Sequence, residues 1–344
     1  EEEFLYAETL ALWDYMRKSY SRGFILSLSG GADSSCCAVL VGKMFERAKE
    51  ALGEERFNQK LKYAQLDHDK PLIAQLFTCV YQGTENSGDA TLESARALAA
   101  GLGATFHNWN VEPLRQQYHG LAEQALGRPL TWESDDIAMQ NIQARLRAPG
   151  VWMLANLENK ILAATSNRSE AAVGYTTMDG DTCGGISPIA GIDKAFLRQW
   201  LAWLERTGPA GVGPISAVAA VNALAPTAEL RPESQGQTDE DDLMPYDVLD
   251  AIEHQALGEK RSPAEALADL AVCFPQHSRA ALSAWVHRFF TLWSRNQWKR
   301  ERFAPSFHVD DKNLDPKTWC RFPILSGAFQ RELRELSESG PPAP

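Results

Sequence analysis

Cysteine pairing of the metal-binding kind is missing from this sequence. Its six cysteines, Cys36, Cys37, Cys79, Cys183, Cys273 and Cys320, include no C-x-x-C pair, and no histidine stands at zinc-ligand spacing. That excludes a structural zinc module and a dense disulfide framework, and reduced, buried thiols fit a cytoplasmic protein. Positive charge is also short: 34 Lys and Arg stand against 45 Asp and Glu, for a formal net charge of -11. A general attraction to nucleic acid is therefore not expected, and any anion must meet a local site. There is no long apolar run either. The longest low-charge stretch, GPAGVGPISAVAAVNALAP, is broken by Gly and Pro and contains Asn222, so no membrane role is expected. The opening EEEFLYAETLALW is acidic where a signal peptide is basic and reads as an amphipathic helix. The chain begins without Met, which leaves open a processed or excised part of something longer. No internal repeat of solenoid length is found.

What is present suits a globular core, with 44% hydrophobic and 9% aromatic residues. The 344 residues hold either two domains or one α/β domain with insertions. FILSL (24–28) is an apolar run that enters Gly-Gly and is followed by helical spacing through Ala38, Val39 and Met44, so it reads as strand, turn, helix. QLFTCV (75–80) reads as a second strand, followed by a helix in TLESARALAAGLG that Thr91 can cap. ATFHNWNV (104–111) reads as a third strand, SDDIAMQNIQARLR (134–147) as a helix capped by Ser134, and KILAATS (160–166) as a fourth strand. Alternation of this kind predicts a doubly wound, mostly parallel sheet with ligands beyond the carboxyl ends of its strands. The polar stretch from Glu54 to Leu72 is expected to leave the core, and RPESQGQTDEDD (231–242) to form a mobile acidic loop. Helices are expected from Ala264 onward, in ADLAVCF and AALSAWVHRFFTLW, and a flexible tail over 331–344 ending in GPPAP.

A Gly-rich turn between strand and helix gathers backbone N–H groups at the positive end of a helix dipole, so SGGADSS (29–35) suits an anion. It has neither the Lys of a Walker loop nor the spacing of a dinucleotide fingerprint. Asp33 at the helix start would repel phosphate unless a hard cation such as Mg²⁺ lay between them. The plain alternative is that the turn is only packing.

SGGADSS resembles the pyrophosphate loop of the N-type ATP pyrophosphatases, with their adenine nucleotide alpha-hydrolase-like, Rossmann-like fold. With NIQARLR (141–147), ATSNRSEAAVGYTTMDGD (164–181), ISPIAGIDK (186–194), PTAELRP (226–232) and QTDEDDLMPYDVLDAI (237–252), the likeness narrows to the NAD synthetases. These segments occur in the family's order and carry the resemblance to about Arg300, within a single unit spanning 1–330. The resemblance implies adenylylation of the nicotinate carboxylate of deamido-NAD by ATP with release of pyrophosphate, then displacement of AMP by ammonia. Ser29, Gly30, Gly31, Ser34 and Ser35 match the pyrophosphate loop, and Asp33 and Glu170 the two Mg²⁺-binding carboxylates. Thr165, Thr227 and Lys194 match positions that contact ATP, the lysine at its phosphates. Asn141, Arg145 and Lys299 match positions that hold deamido-NAD, and Asp181 matches a carboxylate near the nicotinate that can take a proton from ammonium. Helix capping, turn formation or a solvated surface is the plain reading of each such residue taken singly.

Departures from the ammonia-only pattern bear on subtype. Ammonia-only members carry a Lys and an Asp where this chain has Met178 and Gly185, and His-Lys where it has Trp298-Lys299. TCVYQGTENS and DEDDLMPYDVLD look more like the glutamine-dependent branch, in which a nitrilase-like glutaminase domain supplies ammonia. No such domain is recognised in this sequence, so the glutaminase is cut away, is a separate partner, or is replaced by free ammonia. The resemblance also implies a homodimer, the deamido-NAD site lying at its two-fold interface. Pro149-Gly150 is expected to stop or kink the helix that carries Arg145 and Arg147.

Overall fold

The computed structural model describes residues 1–67, 69–224, 230–231, 238–310 and 312–338. The order begins with α1 (Glu2–Lys18), β1 (Phe24–Ser27), α2 (Ala32–Lys60), a 3-10 turn at Lys62–Ala64, α3 (Leu72–Leu76), β2 (Phe77–Gly83), α4 (Asp89–Gly101) and β3 (Thr105–Asn110). It continues with α5 (Glu112–Leu126), α6 (Trp132–Glu158), β4 (Ile161–Ala163), α7 (Arg168–Val173), α8 (Lys194–Arg206), α9 (Ala219–Asn222), α10 (Asp239–Asp242) and α11 (Tyr246–Glu253). The described part ends with α12 (Pro263–Cys273), α13 (Arg279–Arg295), α14 (Gln297–Arg300) and α15 (Gln330–Glu338).

The four strands lie in the order β3-β2-β1-β4, and every pairing is parallel. Strands β1, β2 and β4 are covered on both faces, whereas the edge strand β3 is only partly covered and carries polar residues. Side chains alternate between the two covers. Phe24, Leu26, Phe77, Cys79 and Ala163 face the large core built with α1, α2, α4 and α8, whereas Ile25, Val80 and Leu162 face Val151 and Ala155 of α6. The chain leaves β1 for β2 and β3 on one side and returns to β4 on the other. The crevice between the carboxyl ends of β1 and β4 is therefore the topological switch point, where such sheets bind ligands. A second apolar core lies in the helical C-terminal part. It joins Ala171, Ala172 and Val173 of α7 to Val248, Leu249 and Ile252 of α11 and to Phe289, Phe290 and Trp293 of α13. Helix α7 thus links the sheet to this second body.

Several expectations are corrected by tertiary contacts. The polar stretch after Glu54 does not leave the core: Gly53 breaks the helical path at φ 72°, and the chain folds back to bury Phe57, Leu61 and Ala64. Phe57 stacks on Trp13 with ring centroids 5.4 Å apart. Gln75 and Leu76 belong to α3, and β2 starts only at Phe77. Thr91 is not the cap of α4, whose N-cap is Gly88; the Thr91 hydroxyl bonds Gly88 O (2.9 Å) and pairs with the Tyr81 hydroxyl (3.0 Å). Thr131, not Ser134, caps α6, its hydroxyl accepting from the Ser134 amide. Pro149-Gly150 does not end α6, which runs through both residues for 27 positions. The bond that Pro149 cannot make is one of many in a long helix, and the nearby Arg147 carbonyl accepts from Gln82 Nε2 at 2.7 Å. Gly150 lets the helix press on β3, since a Cβ there would stand 3.0 Å from the Trp109 ring. The tail does not begin at 331: α15 buries Leu333 and Leu336 in the second core. Half of the acidic loop over 231–242 lies outside the described residues, but its last four residues form α10, with Asp239 buried.

Glu8 is a buried acid in the first core. It lies on the inner face of α1 with Leu5, Leu12 and Trp13, fully buried, and neither carboxylate oxygen has a partner among the described residues. Burial raises its pKa from 4.5 to about 8. The folded state keeps the proton while the unfolded chain releases it, so this group's contribution is intact below pH 4.5 and lost as pH rises toward 8. By linkage the loss reaches about 3 kcal/mol at pH 7. Denaturant titrations of Glu8→Gln should show a smaller fall in stability between pH 5 and pH 7.5 than the parent. Equal slopes would place a partner beside Glu8.

Candidate active site

The turn between β1 and α2 is closed by its own serines. The Ser29 hydroxyl pairs with that of Ser34 at 3.0 Å, the Ser29 amide donates to Ser34 Oγ at 3.2 Å, and the Gly31 amide donates to Ser29 Oγ at 3.3 Å. Gly30 has φ 85°, and a Cβ there would stand 2.2 Å from the Thr91 carbonyl oxygen, so only glycine passes under α4. Helix α2 begins at Ala32, and its first amides, which have no partners within the helix, lie at the positive end of a long dipole.

Beyond the carboxyl ends of β1 and β4 opens a cleft of about 510 Å³. Ser27, Ser29, Gly31, Asp33 and Ser34 line it from β1 and its turn, and Thr165, Glu170, Thr177, Asp181, Lys194, Asp239 and Lys299 line it from the opposite side. At its floor Lys194, on the first turn of α8 and only 3% exposed, places Nζ against Asp33 Oδ2 and 3.0 Å from Glu170 Oε1. Asn167 joins the two strand ends: its Oδ1 accepts from the Glu170 amide at 2.9 Å, and its Nδ2 donates to Asp33 Oδ1 at 3.2 Å. The Tyr246 hydroxyl donates to Glu170 Oε1 at 3.1 Å, and the Tyr175 hydroxyl to Asp242 Oδ2 at 2.9 Å.

The charge balance at this floor is acidic: three carboxylates, Asp33, Glu170 and Asp239, face one ammonium. Burial, with Glu170 nearby, raises the Asp33 carboxyl to about 6 even though Lys194 opposes it. Burial and Glu170 likewise push Asp239 to about 7. For Lys194, burial acts downward, but the Asp33 and Glu170 carboxylates outweigh it and hold the ammonium well above its ordinary range. Hard oxygen donors in excess over the resident cation form a donor set that accepts a divalent metal. Asp33 and Glu170 could hold such an ion.

The loop 174–182 forms the far wall. The Thr177 amide donates to Asp181 Oδ1 at 2.7 Å, and burial raises the Asp181 carboxyl to about 7, with Lys299 acting against the shift. Lys299 Nζ bonds the carbonyls of Gly174 (2.7 Å) and Thr176 (2.8 Å), which keeps an ammonium beside that carboxyl. The Thr177 hydroxyl donates to Asn141 Oδ1 at 3.2 Å, bringing α6 into the wall.

Most of the residues singled out from the sequence therefore converge. Three do not line the cleft. Gly30 shapes the turn from behind. Ser35 is fully buried within α2, its amide donating to the Gly31 carbonyl. Arg145 is held behind the far wall, donating from Nε to the Met178 carbonyl at 3.0 Å, whereas Arg147, two residues on along α6, lines the cleft. Thr227 lies outside the described residues. Asp239, Tyr246 and Asn167 were not singled out. In a run of four acids nothing local marks Asp239 as the buried one, and Asn167 read only as part of a motif.

The family model described as NAD synthase matches residues 5–302 of this chain. The glutamine-dependent NAD(+) synthetase of Aquifex aeolicus is 34% identical over 330 residues, covering 96% of this chain and 49% of that protein. The enzyme of the same name from Oryza sativa subsp. indica is 30% identical, covering 98% of this chain and 49% of that protein. The crystal structure of a glutamine-dependent NAD(+) synthetase from Cytophaga hutchinsonii superposes with a TM-score of 0.87 at 46% identity, covering 98% of this chain and 56% of that one. An NMN synthetase from Francisella tularensis, at 22% identity and a TM-score of 0.57, shares the fold. The chain spans about half the length of the curated relatives it matches.

Proposed function

The chain belongs to the NAD synthase family, and from that premise we propose that it makes NAD from deamido-NAD, ATP and ammonia. The observation that carries this reading is the Lys194 ammonium set between Asp33 and Glu170, two carboxylates that follow adjacent strands on either side of the switch point and face the SGG turn. A nicotinate carboxylate oxygen attacks the α-phosphorus of ATP, the α–β anhydride bond breaks, and pyrophosphate departs. The amides and hydroxyls of the turn receive the β and γ phosphates, and Lys194 offsets the charge that grows on the leaving group. Mg²⁺ held by Asp33 and Glu170 would screen the phosphates from these carboxylates and act as a Lewis acid. Thr165 and Thr227 complete the ATP contacts in this reading.

In the second half, the ammonia nitrogen attacks the activated carbonyl carbon, the bond to the AMP oxygen breaks, and the nitrogen loses a proton. Asp181 is the group we assign to take it, because burial brings its pKa to about 7, where the ionised form is available and still basic. Lys299 and Asn141 line the same wall and suit the anionic dinucleotide.

The relatives' names make glutamine their nitrogen source, which supports a glutaminase domain or subunit as the supplier of ammonia. A homodimer fits the apolar residues left exposed on α5 and α6, among them Leu121, Leu126, Ile137 and Leu157. Free cysteines support a cytoplasmic location, and no helix among the described residues is long and apolar enough to cross a membrane. Pyrophosphate release from ATP tests the reading. It should require deamido-NAD and proceed with ammonium as nitrogen donor. ATP bound without deamido-NAD-dependent release would mean a nucleotide-binding module instead.

A further inference from the structure

Helix α8 carries Lys194 as its first residue, yet its own N-cap leaves it uncapped. Asp193 makes no cap bond, because its carboxylate is drawn to Arg168 (2.5 Å). Two other elements supply the cap. The Lys194 amide donates to Ser169 Oγ at 2.8 Å, the Ala195 amide donates to Asp250 Oδ2 at 3.0 Å, and the Ser169 hydroxyl donates to Asp250 Oδ1. Ser169 immediately precedes Glu170 on α7, so this closed set of bonds ties the backbone of the lysine to that of one of its two carboxylate partners.

Asp250 lies midway along a helical path that runs from α11 directly into a π turn over His254–Gly258, and its carboxylate is aimed at the first amides of α8, where an anion is favoured. We propose that Asp250 is a positioning residue for the phosphate chemistry of the cleft: through Ser169 it fixes the start of α8, and so sets where the Lys194 ammonium stands relative to Asp33 and Glu170. The proposal rests on the ATP reading of the cleft, since it acts only through Lys194.

A double-mutant cycle separates positioning from general support of the fold. Asp250→Ala should lower kcat for deamido-NAD-dependent pyrophosphate release by about 10- to 100-fold, the cost of a small misplacement of a reacting group, with KM for deamido-NAD nearly unchanged. Asp250→Asn keeps an acceptor for the Ala195 amide and should recover most of that loss, and Ser169→Ala should resemble Asp250→Ala. In a Lys194→Met background Asp250→Ala should have almost no further effect. Equal fold-losses in both backgrounds, or no rescue by Asn in a protein that still melts cooperatively, would overturn the proposal. If the parent chain releases no pyrophosphate, the functional reading fails on its own. The same cycle is then read in the ATP dissociation constant by calorimetry, where additivity would overturn the positioning role.

Discussion

Lys194→Met should lower deamido-NAD-dependent pyrophosphate release by about 10³-fold, the scale on which an aimed cationic or hydrogen-bonding group acts on charge that develops in a transition state. Lys194 is the cation at the floor of the cleft, buried, bonded to Asp33 and Glu170, and 5.5 Å from the Tyr246 ring. Its loss leaves three acids facing one another. Breaking such a buried set costs about 3–5 kcal/mol when the remaining charges have no other recourse. Here they have one, because Asp33 and Asp239 already sit at about 6 and 7 and take up protons readily. The variant should therefore approach the parent in stability at pH 5 and fall behind as pH rises through 7. Paired assays and melting curves at the two pH values check both parts. Activity within tenfold of the parent would remove Lys194 from the chemistry.

Asp181→Asn should split the two half-reactions. If Asp181 takes the proton from the attacking nitrogen, amide formation should fall by about 10²–10⁴-fold while the first half-reaction still runs, so that each site releases a burst of one pyrophosphate and holds the adenylate until the slow amidation clears it. The parent's amidation should rise with pH through about 7, as the Asp181 carboxyl ionises, and this limb should vanish in the variant. Asparagine keeps an acceptor for the Thr177 amide, so loop 174–182 retains its main tie. A variant with no such burst, in which NAD and pyrophosphate fall together from the first turnover, would place Asp181 in binding or in the first step.

How much of this could be read beforehand depended on whether the controlling forces were local. The parallel sheet was legible because its inner strands β1 and β2 are buried on both faces and β1 ends in a turn with strong backbone demands. Gly30, pressed under α4, is the sharpest case. That Asp33, Glu170 and Lys194 come together was legible through the motifs that flank them. What escaped was set by distant contacts. Helix α15 has two leucines amid charge, and only burial in the second core with Phe290 and Phe329 distinguishes it from a solvated tail. Pro149 reads as a stop, yet α6 runs through it, packed on β1 and tied to Gln82 through a neighbouring carbonyl. Asp239 and Asp250 look like surface acids in their own segments. Their roles come from Tyr246 and from the uncapped start of α8, which no spacing rule relates to them. Arg145 and Arg147 differ only by where a continuous helix turns them.

The central claim is that the nicotinate carboxylate attacks the α-phosphorus of ATP in this cleft. Deamido-NAD labelled with ¹⁸O in that carboxylate tests it most directly, with ATP and ammonium supplied and the nucleotide and phosphate products read by mass spectrometry. The account predicts one labelled oxygen in AMP and none in pyrophosphate, because the attacking oxygen stays on phosphorus when ammonia breaks its bond to carbon. Label in orthophosphate together with ADP, or unlabelled AMP, would contradict it.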